Sequence, residues 1–316
     1  MWLAKRRPSL VGLLQAAALL TVVFSLATFA DQLHRYLELF SHFRLQYLLA
    51  SSILALFLFA LRSRAWASVM LILTAINTLP VAMWYLADTD QPDSNGIQLR
   101  LLHANVYSGN SNRQALHALI AAEQPDVIVL QEITDAWTTT IEMLRENYPY
   151  QYAIPRHDNF GIAVLAKTPF QSVDVIDSPP YGFPSLVVRQ SVSGRIVTYV
   201  STHPIPPLGT EGFHARNEQL ASIAELMIPI AGPKLLIGDL NITMWAEHYR
   251  QLVESTGLTN TRDGFGIIPT WPIQLPFARI PIDHCLVSDD VAVLDMRSGP
   301  DIGSDHLPLL IVLGFL

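Results

Sequence analysis

Apolar residues concentrate in three long runs near the N-terminus, at about Leu10 to Ala30, Tyr47–Leu61 and Trp66–Leu86. The first and third reach the ~20 residues that a helix needs to cross a bilayer. The second is shorter and spans only if flanking residues join it. Tyr47, Trp66, Trp84 and Tyr85 cluster at the ends of these runs, where amphipathic rings sit at headgroup level. The pattern predicts a bundle of about three transmembrane helices over residues 1–87. The polar stretch Asp88–Gly96 then reads as a linker and a domain boundary. Its ~35 Å at full extension would keep the second domain close to the membrane.

From Ile97 the pattern changes to short apolar strands alternating with helices. Strands are expected at Ile97–Ala104, Val127–Leu130, Gly161–Ala166, Leu186–Ser191, Ile196–Ser201, Lys234–Ile237, Ile280–Ser288 and Leu307–Leu313. Amphipathic spacing predicts helices at Asn112–Glu123, Asp135–Asn147 and Phe213–Ile228. Strands mixed with covering helices point to an α/β domain over residues 97–316.

Charge sharpens this division. Residues 1–89 hold seven basic against three acidic side chains, a balance of +4, whereas residues 90–316 hold 13 against 24, a balance of −11. A domain at −11 lacks the electrostatic footprint of a non-specific nucleic-acid binder, although a nucleic-acid substrate held through a metal stays open. Lys5, Arg6 and Arg7 favour a cytoplasmic N-terminus, and Arg62 with Arg64 favour a cytoplasmic second loop. Three crossings would deliver the second domain to the outer side. The chain is therefore expected to be an integral membrane protein whose second domain lies outside the cytoplasm. Cys285 is the single cysteine, so an intrachain disulfide and a cysteine zinc site are excluded.

Chemistry-bearing residues recur where the apolar strands stop. They are Asn105, Glu132, His203, Asp239 with Asn241, Asp283 with His284, and Asp305 with His306. Gly238 punctuates its strand, and alternation along an extended chain would place Asp239 and Asn241 on one side. Carboxylates and amides suit a hard divalent ion such as Mg²⁺, with Mn²⁺ as a substitute. Histidines can donate to phosphate oxygens or move protons. Neither Gly-x-Ser-x-Gly nor a P-loop occurs, so the set favours direct attack of water on phosphorus. His284 and Cys285 are expected to be structural, and His103 is assigned no role.

The segments His103-Ala104-Asn105, Leu130-Gln131-Glu132, Ser201-Thr202-His203, Gly238-Asp239-Leu240-Asn241, Ile282-Asp283-His284 and Ser304-Asp305-His306, in this order, resemble the motifs of the endonuclease/exonuclease/phosphatase (deoxyribonuclease I-like) superfamily. The similarity runs from about Ile97 to Leu313, and the membrane segment lies outside it; with that segment the chain resembles bacterial membrane-anchored members. The resemblance implies a two-sheet α/β sandwich and a Mg²⁺-dependent phosphoester hydrolase. It implies Glu132 as principal metal ligand, with Asn105 beside it and Asp305 near the metal. Asp239 would orient or deprotonate the attacking water, Asn241 would position the phosphate, and His203 with His306 would stabilise charge developing on the phosphoryl oxygens. Asp283 would orient His306.

Two apolar, proline-stiffened stretches, Ile205–Gly209 and Ile267–Phe277, are expected near the site rim. They suit either ordinary loop packing or contact with an apolar substrate part or the lipid bilayer. The expected partners are thus the membrane bilayer and a phosphoester substrate, lipid-linked or nucleic acid. The rival readings are an extracytoplasmic nuclease of the same chemistry and a non-catalytic membrane-anchored binding module.

Overall fold

The structure is a computed structural model and describes residues 9–86 and 96–315. The basic Lys5–Arg7 segment and nearly all of the expected linker lie outside the described residues. Contacts divide the chain into two units. One comprises residues up to Met83 with Trp245–Glu247, and the other Trp84–Met244 with His248–Leu316.

In the first unit, Ser9 caps helix α1 (Leu10–Ala27) by accepting the Gly12 N–H at 3.1 Å, which satisfies one of the orphan donors of the first turn. A 3₁₀ segment carries the run on to Leu33. Helices α2 (Arg35–Ser41), α3 (Arg44–Ala60) and α4 (Arg64–Ala82) follow. Leu10–Leu33 and Arg64–Tyr85 are each long and apolar enough to cross a membrane. For the second expected run, α3 is too short alone, and α2 with α3 makes a further span only as a pair bent by 63°. Ala18, Leu54, Ala55, Leu58, Ala67, Met70 and Leu73 form the buried seam. Small residues at such seams let helices approach closely. Asn77 Nδ2 donates to Ser25 Oγ at 2.8 Å and Thr74 Oγ1 to Ser51 Oγ at 3.0 Å, so these two donors are bonded between helices. Leu20, Val23, Leu56, Phe59, Leu71 and Leu79 remain exposed. A helix that is apolar all round suits a lipid solvent.

The second unit is a two-sheet α/β sandwich. Its strands are β1 (Gln98–Asn105), β2 (Val127–Gln131), β3 (Tyr150–Ile154), β4 (Ile162–Ala166), β5 (Phe170–Ser178), β6 (Phe183–Val192), β7 (Arg195–Ser201), β8 (Lys234–Asp239), β9 (Thr259–Asn260), β10 (Asp283–Val287), β11 (Val291–Ser298) and β12 (Leu309–Phe315). Helices α5 (Arg113–Glu123), α6 (Asp135–Met143), α7 (Gly209–Met227) and α8 (Glu247–Thr256) interrupt them. One sheet has the order β11-β12-β1-β2-β4-β3 and the other β5-β6-β7-β8-β10-β9. Both are mixed: β1 runs parallel to β2, and β7 parallel to β8. Leu116, Leu119, Ile120, Trp137 and Ile141 of α5 and α6 cover the outer face of the first sheet against Leu102, Ile128, Leu130 and Leu165.

The central core explains where the chemistry falls. Inward-facing residues alternate along each strand. They are Leu99 and Leu101 on β1, Val127 and Val129 on β2, Val197 and Tyr199 on β7, Leu235 and Ile237 on β8, and Cys285 and Val287 on β10. The next positions of the same parity are His103 and Asn105, Gln131, Ser201, Asp239 and Asp283, all buried. Each of these five rows therefore turns polar at the same end of the sandwich. That end is where the parallel strands terminate and antiparallel β10 begins.

Candidate active site

Asp239 and Asp283 are direct register partners across antiparallel β8 and β10. Opposed residues share one face, so two buried carboxylates stand side by side. Their repulsion is relieved by histidines. His306 Nδ1 donates to Asp283 Oδ2 at 2.8 Å, and its Nε2 lies 3.6 Å from Asp239 Oδ2. Burial alone would push the His306 pKa down, but the Asp283 and Asp239 charges and the Asp283 hydrogen bond outweigh it and raise the ring to about 10. Asp283 is held well below the usual carboxylate range: burial opposes this, and the charges and hydrogen bonds of His306 and His103 prevail. His203 Nε2 lies 3.5 Å from Asp239 Oδ2. Its pKa is also raised, with burial again overcome by the hydrogen bond and charge of Asp239.

The first sheet supplies the facing groups. Asn105 Nδ2 donates to Glu132 Oε1 at 3.0 Å and to Asp239 Oδ2 at 3.2 Å. Its Oδ1 accepts the Tyr107 N–H at 3.1 Å, which fixes the amide. Glu132 follows the last residue of β2 in a left-handed conformation, φ 63°, which turns its side chain away from the strand alternation. Its Oε2 accepts the Ser108 N–H at 2.9 Å.

This constellation coincides with a family match. The model of the endonuclease/exonuclease/phosphatase family matches residues 102–306, which is from β1 through His306 and includes every residue just described. The chain belongs to the endonuclease/exonuclease/phosphatase family. Solved structures share the fold. An endonuclease/exonuclease/phosphatase from Beutenbergia cavernae is 20% identical with a TM-score of 0.59, over 69% of this chain and 72% of that one. TDP2 from D. rerio, solved with a single-strand DNA product, is 16% identical with a TM-score of 0.58, over 69% and 99%. Beta toxin from Staphylococcus aureus is 18% identical with a TM-score of 0.51, over 67% and 99%. No curated protein sequence matches. As a family member the chain is a metal-dependent hydrolase of phosphoester bonds.

Two places in this endonuclease/exonuclease/phosphatase domain could hold the metal. Ligand atoms of Asp239, Asp283 and His306 lie within 4.8 Å of one another. Both Asp283 oxygens, however, already accept from histidines. Glu132 fits better: it is 9% exposed and its oxygens accept only from an amide and a backbone N–H. Asp305 adds a second indication. Its Oδ2 accepts the Trp271 Nε1–H at 3.1 Å, while its buried Oδ1 has no partner among the described residues. A carboxylate oxygen left bare in this way suits a cation.

Asn241 is reached differently from the expectation. It is not the next alternate strand residue, because its φ of 51° ends the extended run. Its backbone N–H donates to Asp239 Oδ1 at 3.0 Å, and its Nδ2 to the Pro204 carbonyl at 2.9 Å. A turn closed by the aspartate therefore joins the two residues.

Several supporting residues were not foreseen. Gln131 links the sheets: Nε2 donates to the Thr202 carbonyl at 2.7 Å and Oε1 accepts the Asp239 N–H at 2.8 Å. Gly238 is needed beside it, because a Cβ there would lie 2.0 Å from the Thr202 oxygen and 2.5 Å from Gln131 Nε2. Ser304 Oγ donates to the Asn105 carbonyl at 2.7 Å and accepts the His306 N–H at 3.1 Å. Buried Arg262 donates to the carbonyls of Asp283 at 2.6 Å and Ile267 at 2.7 Å. His284 is structural as expected. Its Nε2 donates to the Ile242 carbonyl at 2.8 Å, and burial followed by the Arg262 charge pushes its pKa down to about 3. The parity of His103 and Gln131 with the inner apolar rows was the available sequence signal for both.

Proposed function

We propose that the chain is a membrane-tethered, Mg²⁺-dependent phosphoester hydrolase in which water attacks phosphorus directly. The observation that carries this reading is Asp239 Oδ2, one buried carboxylate oxygen approached by Asn105 Nδ2, His203 Nε2 and His306 Nε2 at 3.2, 3.5 and 3.6 Å. A fixed anionic oxygen between two cation-capable rings can hold a water and take its proton. His203 and His306 then face the phosphoryl oxygens, where charge grows as the water–phosphorus bond forms and the ester bond breaks. Asp283 fixes the His306 ring, and Asn241 positions the phosphate. Glu132, with Asn105 and Asp305, would hold Mg²⁺ or Mn²⁺. Such an ion supplies Lewis-acid polarisation of a phosphoryl oxygen. The expected division into a 1–87 anchor, an 88–96 linker and a 97–316 catalytic domain belongs to this proposal, as does an extracytoplasmic catalytic domain in a bacterial inner membrane.

For substrate, we infer a preference for a phosphoester displayed at a membrane. The two apolar stretches are tied to site residues: Pro204, immediately before one, accepts from Asn241, and Trp271 and Ile273 of the other bond Asp305. They end in side chains that water does not favour, Leu208 at 81% and Phe277 at 77% exposure. A −11 balance over residues 90–316 opposes polyanions. The alternative is a nuclease, favoured by the likeness to a TDP2 solved with a DNA product. The test uses the full chain in detergent with matched Mg²⁺ and low salt, comparing lipid phosphoesters in mixed micelles with plasmid and single-stranded DNA. A higher kcat/KM on DNA than on any lipid phosphoester overturns the substrate preference. Undiminished hydrolysis in chelator overturns the metal reading.

A further inference from the structure

Asp283 has a second histidine. His103 Nε2 lies 3.2 Å from Asp283 Oδ1, on the opposite side of the carboxylate from the 2.8 Å bond to His306. The contact crosses between sheets, from β1 to β10. Both partners are buried, and Nδ1 of His103 has no hydrogen-bond partner among the described residues. An ionised carboxylate only accepts, so the hydrogen lies on Nε2 of His103 and on Nδ1 of His306. Asp283 is clamped from both sides.

The neighbouring positions show what His103 replaces. Leu99 and Leu101 precede it on the same face of β1 and pack in the central core. A third apolar residue would continue that row and leave no unpaired ring nitrogen, which is costly when buried. Among the described residues, the single polar contact that the ring makes is the one to Asp283. Without it, Oδ1 would be a bare buried oxygen, and the carboxylate would be free to rotate about its Cβ–Cγ bond. Rotation would carry Oδ2 off His306 Nδ1 and release the ring that faces Asp239.

We infer that His103 is a positioning residue for phosphoester hydrolysis: it holds the Asp283 carboxylate in the one rotation that keeps the His306 ring aimed at the site. The inference rests on the role proposed above for Asp283 and His306. His103 itself reaches neither water nor substrate and acts through two intervening side chains.

The test compares full-length wild type, His103→Leu, His103→Gln, Asp283→Asn and His306→Ala in detergent with Mg²⁺ or Mn²⁺, using bis(p-nitrophenyl) phosphate as probe. Glutamine places an N–H close to the position of Nε2, whereas leucine supplies none. His103→Leu should lose roughly 10- to 100-fold in kcat with little change in KM, by analogy with other groups that orient a working histidine. His103→Gln should recover most of that loss, and His103→Leu should add little to Asp283→Asn. If the leucine variant does not fold, His103→Asn, whose amide is too short to reach Asp283, takes its place. A second readout needs no turnover. The NMR resonance of the His306 Nδ1 proton shared with Asp283 should persist in His103→Gln and shift or broaden in the leucine or asparagine variant. Wild-type kcat in His103→Leu or His103→Asn, equal losses in the glutamine and leucine variants, or an unmoved resonance each overturn the inference. An inactive wild type, or a fully active His306→Ala, instead overturns the reading on which it rests.

Discussion

Asp239 and Asp283 face each other across β8 and β10 as register partners, both buried in the polar end of the sandwich. Like charges so placed repel each other, and the repulsion strengthens where water is absent. The fold answers with a ring on each side and one between: His203 near Asp239, His103 on Asp283, and His306 reaching both. The pair has divided labour. Asp283 spends both oxygens on histidines, whereas Asp239 keeps Oδ2 turned toward Asn105 and the two rings of the site.

From this division, Asp283 and His306 act as a unit. Asp283→Asn and His306→Asn should each lower kcat by a factor of roughly 10² or more. The double variant should cost far less than the product of the two losses, because groups in one hydrogen-bonded pair are non-additive. A double-mutant cycle on kcat checks this. Losses that multiply in full would remove the coupling.

The same pair makes stability depend on pH with a defined sign. The His306 pKa is raised from an ordinary 6.5 to about 10. A raised pKa means that the folded state holds the proton more tightly. The contribution is fully present below ~6.5 and is lost as pH rises through ~10. Asp283 is depressed, so its contribution is present above the usual carboxylate pKa and is lost as pH falls through the folded value. The gap in melting temperature between wild type and His306→Asn, measured in chelator, should be widest at weakly acidic pH and narrow toward pH ~10. Its free-energy equivalent is on the order of a few kcal/mol. A gap that widens with rising pH would contradict the assignment.

The strands themselves decide how much of this was legible beforehand. The rows Leu99–Leu101, Val127–Val129 and Leu235–Ile237 are apolar without interruption, and the polar residues that end them stand out in the sequence. Glu132, His203, Asp239, Asp283 and His306 were read from that contrast, and the family match spans all of them. Strand β5 was missed because Phe170–Ser178 is an edge strand, half-exposed and rich in polar residues. Strands β3 and β11 flank the other sheet's edges in the same way. Two-residue β9 carries no period to detect. His103 escaped for a different reason. A lone histidine on a strand has no meaning until β1 of one sheet is seen to face β10 of the other. Asn241 was read through alternation, but a left-handed residue ends the strand before alternation can act.

Glu132 is expected to anchor the metal. Glu132→Gln keeps the size of the side chain and an acceptor for the Ser108 N–H, but removes the charge that a hard divalent ion requires. The Mg²⁺ concentration giving half-maximal activity should rise about 10- to 100-fold, while the melting temperature in chelator stays close to wild type. Unchanged metal dependence, measured by activity across a Mg²⁺ titration, would move the ligand elsewhere in the site.

The bent α2–α3 pair decides the last prediction. Leu10–Leu33 and Arg64–Tyr85 are each long and apolar enough to cross, but α2 and α3 make a span only together, through their 63° bend. An odd number of crossings places the catalytic domain on the side opposite the N-terminus, and an even number places it on the same side. Lys5, Arg6 and Arg7 favour a cytoplasmic N-terminus. Arg62, in the turn after α3, and Arg64, which opens α4, favour a cytoplasmic turn. Both clusters can be cytoplasmic only if α2–α3 returns the chain across the bilayer, which makes three crossings. A reporter active only outside the cytoplasm, fused after Leu316, should therefore be active. Replacing Arg62 and Arg64 with glutamine should lower that activity, because the turn would lose its retention signal. Activity from a cytoplasm-specific reporter at the same position, with none from the other, would show that the bent pair does not cross.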